Sequence, residues 1–186
     1  VSGTPLSRWQ ALGTFCSMTI TYRAEQPADV PRIAALTEAA FRDAPHASHT
    51  EHLIVDALRR AGKLSASLVA EADGKLVGHV ALSAVALSSG QSGWYGLGPI
   101  SVDPGRQGQG VGSALMRAAL QWLRDRDAAG CVLLGDPAYY ARFGFAAHPQ
   151  MTLPGVPPAY FMALLISARA VPAAEVAYDP LFEVTG

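Results

Sequence analysis

Charge is scarce in this chain. Charged residues make up 16% of its 186, with 14 Lys and Arg against 15 Asp and Glu and a net charge of −1. A nucleic-acid-binding domain shows a basic stripe, so this balance speaks against nucleic acid as a partner. It leaves anionic small ligands open, because a helix N-terminus binds them without net charge. Cysteine is equally sparse. Cys16 and Cys131 stand far apart, which gives neither a disulfide framework nor a zinc spacing and suits a reducing cytoplasm. No apolar run reaches membrane-spanning length, so no membrane is expected as a partner. The start lacks the basic-then-apolar layout of a signal peptide. Repeats and low-complexity tracts are missing too.

The chain does not open on Met, and Met18-Thr19-Ile20 reads as a more natural beginning. Residues 1–17 are therefore expected to be an extension ahead of the domain: an added remnant, a misassigned start or a flexible arm. A short docking helix from Leu6 to Leu12 is the alternative. Residues 18–186 are expected to form one domain, since half the residues are hydrophobic and the length suits a full core.

Glycine, by contrast, is concentrated in one place. Gly108, Gly110 and Gly112 alternate with Gln109 and Val111, between a β-branched run ending at Val102 and an amphipathic stretch through Leu115, Ala118, Ala119 and Trp122. The pattern reads as strand, turn, helix. Glycines there let a ligand approach the backbone without meeting a Cβ. The helix start adds unpaired N–H groups and the positive end of the macrodipole, which together suit a phosphate or pyrophosphate. A Walker A loop fails, because Ser113-Ala114 follows Gly112 where Lys-Ser/Thr is needed. The dinucleotide fingerprint fails as well, because Ser113 or Leu115 occupies the place of its third glycine.

Elsewhere the signals are local. Asp73-Gly74 between two apolar runs marks a hairpin. Ser48-His49-Thr50-Glu51 reads as a capping box ahead of a helix reaching Arg60. Pro99, inside a strand from Trp94 to Val102, implies an edge, a bulge or a break. Asp136-Pro137 opens a short helix and Gly144 closes it. Glu175–Tyr178 is expected as a last strand at the edge. The order predicts an α/β (α+β) fold, a mixed sheet with helices on both faces.

The run Gln107-Gly108-Gln109-Gly110-Val111-Gly112 resembles the acyl-CoA pyrophosphate loop of the GNAT superfamily of N-acetyltransferases. Val102-Asp103-Pro104, Leu97-Gly98-Pro99 and above all Leu134-Gly135-Asp136-Pro137-Ala138-Tyr139-Tyr140-Ala141-Arg142-Phe143-Gly144-Phe145 are similar to its YhbS-like branch. The resemblance spans about Met18 to Phe182. It implies a mostly antiparallel GNAT sheet with a splayed central strand pair, and acetyl-CoA as co-substrate with no metal. Acetyl-CoA would be held by Ile100, Ser101, Val102, Gln107, Gly108, Gln109, Gly110, Val111, Gly112 and Ser113. Tyr140, five residues before Phe145, is implied as the acid or donor at the leaving thiolate. Tyr139 is read as packing. The resemblance names no base; His79 reads as a structural histidine, and His46, His49 and His52 lack a metal spacing.

The expected activity is direct acetyl transfer in a ternary complex to a primary amine, of a small molecule or of a peptide or protein. A non-catalytic CoA-binding regulatory module is the alternative. The acceptor is expected beside Phe41, His52, Trp94 and the Gln150–Tyr160 segment, which show no charge signature. An exposed final strand would permit a homodimer.

Overall fold

The computed structural model describes residues 19–44 and 48–183. The extension expected over residues 1–17, Cys16 within it, and His46 lie outside the described residues. The elements run β1 (Ile20–Ala24), α1 (Val30–Phe41), α2 (Glu51–Arg60), β2 (Leu64–Ala72), β3 (Lys75–Ala84), β4 (Ala86–Leu87) and β5 (Trp94–Val102). They continue as α3 (Val111–Arg124), β6 (Gly130–Leu134), α4 (Pro137–Tyr140), β7 (Met151–Thr152), β8 (Phe161–Leu165) and β9 (Ala174–Ala177).

Six strands form one sheet in the order β1-β2-β3-β5-β6-β8. Every neighbouring pair is antiparallel except β5 with β6. The β2–β3 turn fits its dipeptide: Asp73 and Gly74 both take positive φ, 50° and 73°, as a type I′ hairpin demands. Helix α3 covers one face, burying Val111, Leu115, Met116, Ala119, Leu120 and Leu123 against Val80, Leu82 and Leu97. Its stripe is turned from the expected one, leaving Ala118 and Trp122 half-buried. The opposite face packs Ile33 and Leu36 of α1 and Val55 of α2 against Val69 and Ala81. Helices on both faces therefore follow from two apolar stripes that a single sheet separates.

Glu51 reaches back to the Ser48 N–H at 2.7 Å, which is the carboxylate half of the expected box. The other half is absent: Thr50 is the N-cap residue and its side chain makes no cap bond, while its C=O takes the first bonds from Leu53 and Ile54.

Between Phe145 and β8 lie a bridge from Ala146 to Ala163 and the two-residue β7. One expectation for the strands changes: β9 is no edge. It lies between β4 and β7 in a second, three-stranded sheet, which packs Leu87, Met151 and Val176 around Trp94, Val132 and Phe161. The strand invoked for dimer pairing thus has neighbours on both sides.

Candidate active site

The site forms where the main sheet comes apart. β5 and β6 pair only from Trp94–Gly130 to Gly96–Val132. Beyond that point Leu133 and Leu134 stay with β8, while β5 continues along β3. The parting coincides with Pro99, which offers no N–H for a ladder. Val80 faces Ile100 and Leu82 faces Leu97, so Gly98 and Pro99 together oppose the single residue Ala81. Of the three expectations for Pro99, the structure takes the bulge, in a central strand.

The bulge leaves backbone groups free beside the gap. Asp103 N–H bonds Val77 C=O at 3.0 Å, and hydrogen-bonded pairs alternate along an antiparallel ladder. Ser101 therefore turns its main chain to His79. Ile100 and Val102, opposite Val80 and Gly78, turn theirs toward the side β6 has left. Val102 C=O there accepts from Gln107 Nε2 at 3.3 Å. The Ser101 side chain lies on the other side, 1% exposed, with Oγ donating to Thr37 Oγ1 at 3.2 Å. The structure thus brings Ile100 and Val102 to the gap and turns Ser101 away from it.

The glycine loop follows directly. Asp103 Oδ1 accepts from Gly105 N–H at 2.8 Å and fixes the strand exit. Gln109 Nε2 donates to Gly105 C=O at 3.0 Å, so both loop glutamines brace the loop itself. Gly108 and Gly110 sit at φ 73° and 87°, a region that disfavours any side chain. A Cβ at either would meet no protein atom within 4 Å. The space outside the loop is open, and the backbone is bare to it. Helix α3 starts at Val111, and its first hydrogen bond runs from Ala114 N–H to Gly110 C=O at 3.0 Å. The N–H groups of Val111, Gly112 and Ser113 precede it and have no intrahelical acceptor.

Helix α4 starts with the cap its sequence announces: Asp136 Oδ1 accepts from Ala138 N–H at 2.9 Å. It brings Tyr139 and Tyr140 to the same gap, their rings edge to face at 4.9 Å. Tyr140 lies so close over Gly135 that a side chain there would strike its ring. Burial pushes the Tyr140 phenol up to about 12, with the neighbouring Tyr139 and Asp136 adding to it. Tyr139 is not the packing residue expected. Half-buried, it places its hydroxyl over Gly112, 3.1 Å from where a Cβ would stand, and carries Arg142 across its ring at 4.2 Å.

A cavity of about 1170 Å³ lies at the gap, lined by Leu97–Ile100, both tyrosines, the ends of α1 and α2, β9 and the chain after it. That exceeds what one drug-sized ligand usually fills, about 300–1,000 Å³. Leu153, Pro154, Val156, Pro157 and Tyr160 line it, and so does Phe41. Trp94 does not: at 2% exposure it belongs to the core beneath the second sheet. His52 lines a smaller hollow beside Arg42 and His49.

His79 stays outside the cavity. Glu25 grips Arg59 at 2.7 and 2.8 Å and accepts a very short hydrogen bond from Ser67 Oγ. Ser67 Oγ therefore has its lone pairs left for His79, 2.8 Å away, which assigns the proton to Nε2. Nδ1 is buried with no partner. Burial, with Arg59 adding to it, lowers the His79 pKa to about 4 against the opposing pull of Glu25. The ring is neutral near pH 7 and has no path to an acceptor. Among the described residues no cluster of His, Cys, Asp and Glu could hold a metal ion, and no helix is long and apolar enough to cross a membrane.

Comparison with known proteins agrees with this geometry. Residues 31–145 match the acetyltransferase (GNAT) family. The N-acetyltransferase YhbS of Escherichia coli K12 is 39% identical over 132 residues, covering 69% of this chain and 76% of its own length. A GNAT family acetyltransferase from Brucella melitensis, crystallised with acetyl-CoA, superimposes with a TM-score of 0.79 at 45% identity, over 89% of this chain and 99% of that one. The crystal structure of E. coli YhbS with CoA gives a TM-score of 0.80 at 33% identity, over 91% and 95% of the two chains.

Proposed function

The chain belongs to the GNAT family of acetyltransferases, and on that premise we propose that it moves an acetyl group from acetyl-CoA directly to a primary amine. The observation that carries this reading is the parting of β5 from β6 beside a glycine loop and a tyrosine-bearing helix. Acetyl-CoA brings an acetyl group activated as a thioester. The N–H groups of Val111, Gly112 and Ser113, with bare Gly108 and Gly110, hold its pyrophosphate. The main chains of Ile100 and Val102 pair with the amides of its pantetheine arm, and the Ile100 N–H serves the thioester oxygen. Gln107 and Gln109 keep the loop in shape. Ser101 contributes from behind, by fixing β5 to β3 and α1.

Tyr140 donates a hydrogen bond to the sulfur as it leaves. Burial has pushed that phenol up to about 12, which favours its keeping the proton. Tyr140 therefore acts as a donor that keeps its proton, and the proton released by the amine neutralises the thiolate. Cys131 does not relay the acetyl group. It is 0% exposed, and burial pushes its thiol far above the usual range. The burial of Cys131 supports direct transfer, with amine and acetyl-CoA bound together.

Tyr140→Phe removes only the hydroxyl. Single-turnover rates should fall by roughly 10²-fold, the usual cost of removing one hydrogen-bond donor to developing charge, while acetyl-CoA affinity stays near wild type. Tyr139→Phe should do the reverse, weakening acetyl-CoA with little loss of rate. Equal rates in wild type and Tyr140→Phe would leave Tyr140 as a wall of the cavity.

A further inference from the structure

The cavity has a charge that no single stretch of sequence displays. Among the described residues lining the cavity, five are acidic, Glu51, Asp136, Glu175, Asp179 and Glu183, and none is Lys, Arg or His. The whole chain has acids and bases in near balance, 15 to 14, so the cavity is selectively acidic. Three of the five are engaged locally: Glu51 with Ser48, Asp136 as the α4 cap, and Asp179 with the Leu181 N–H and, at 3.8 Å, with Lys63. The Glu175 and Glu183 side chains are exposed and have no such engagement among the described residues. Around the carboxylates the wall is apolar. Leu134 and Tyr160, 52% and 51% exposed, are among the most exposed large apolar side chains of the described residues, and both face this cavity. Arg142, stacked on Tyr139 beside the start of α3, is not among the residues lining the cavity.

We propose that the acceptor is an amine on an apolar body that carries a second cationic group and no carboxylate, the chemistry of an aliphatic or aralkyl diamine. This rests on the acetyltransferase reading and narrows its acceptor. The apolar wall holds the body, and the carboxylates of β9 and the segment after it hold the distal ammonium. The reacting nitrogen bonds the acetyl carbon, the carbon–sulfur bond breaks, and the proton lost by nitrogen ends on the departing thiolate. A free amino acid brings its own carboxylate into the acidic wall and is repelled.

The test is calorimetric titration of the CoA-loaded protein with three acceptors of one length: hexamethylenediamine, hexylamine and aminohexanoate. Acetyl-CoA thiol release over the same series gives a second readout. The diamine should bind about threefold or more tighter than the monoamine, and about tenfold or more tighter than the amino acid. Salt should shrink both gaps. Glu175→Gln combined with Glu183→Gln, at two exposed positions, should narrow the diamine preference and raise affinity for aminohexanoate. A flat or inverted order on CoA-loaded protein, or no binding of any of the three, would overturn the acceptor class while leaving the acetyltransferase reading in place. Failure of the protein to take up CoA at all would overturn both.

Discussion

Gly110 offers the cleanest separation of a loop's shape from its ligand. It sits at φ 87°, and an added Cβ would find no protein atom within 4 Å. Alanine there costs backbone strain without a steric clash, about 1–2 kcal/mol for an L-residue in the left-handed region. For a chain of this size that is a drop in Tm of about 2–8 °C. Gly62, after α2, is a matched control with φ 66° and equally open space. The two variants should lose similar stability in chemical denaturation. Only Gly110→Ala should weaken acetyl-CoA, because its methyl enters the space assigned to pyrophosphate. A tenfold rise in Kd, about 1.4 kcal/mol, is expected by calorimetry. Equal acetyl-CoA affinities in the two folded variants would refute the assignment of the loop.

The remaining predictions concern the tyrosine helix and the buried histidine. Gly135→Ala should push the Tyr140 ring off its seat, lowering the single-turnover rate several-fold more than it weakens acetyl-CoA; parallel losses in both would count against the placement. His79 has a folded pKa of about 4 against 6.5 in the unfolded chain, so between these values the unfolded state binds more protons. Stability should therefore be full above about pH 6.5 and fall by roughly 3 kcal/mol toward pH 4. Glu25, held below the usual carboxylate range by Arg59 and Ser67 despite its burial, adds to the loss at the acid end of that window. Denaturant titrations across that range should show a much shallower slope in His79→Leu than in wild type, with the Glu25 share near pH 4 remaining.

Much of this architecture was legible because its signals are short and local. Asp73-Gly74 demanded two positive φ values and has them. Asp136-Pro137 announced a capped helix, and the alternating glycines announced a turn before α3. The splay was implied by resemblance, whereas its cause, two residues of β5 opposing one of β3, is a matter of register that sequence does not carry. The small sheet was missed in part because β4 and β7 have two residues each, too few for any periodicity. The most consequential omission was electrostatic. Glu51, Asp136, Glu175, Asp179 and Glu183 are spread over more than half the chain, and each alone reads as a solvated acid or a cap. Only the fold collects them around one cavity. Tyr139 was read as packing because adjacent residues usually diverge; on a single turn of helix beside the gap, both rings reach the cavity.

The central claim is direct transfer at the parted strands, and a rapid-quench single turnover with acetyl-labelled acetyl-CoA and hexamethylenediamine tests it most directly. The account predicts that label leaves the thioester and arrives on the amine at one rate, with none on the protein at any time. Label held on the protein, or label reaching the amine more slowly than it leaves the thioester, would contradict it.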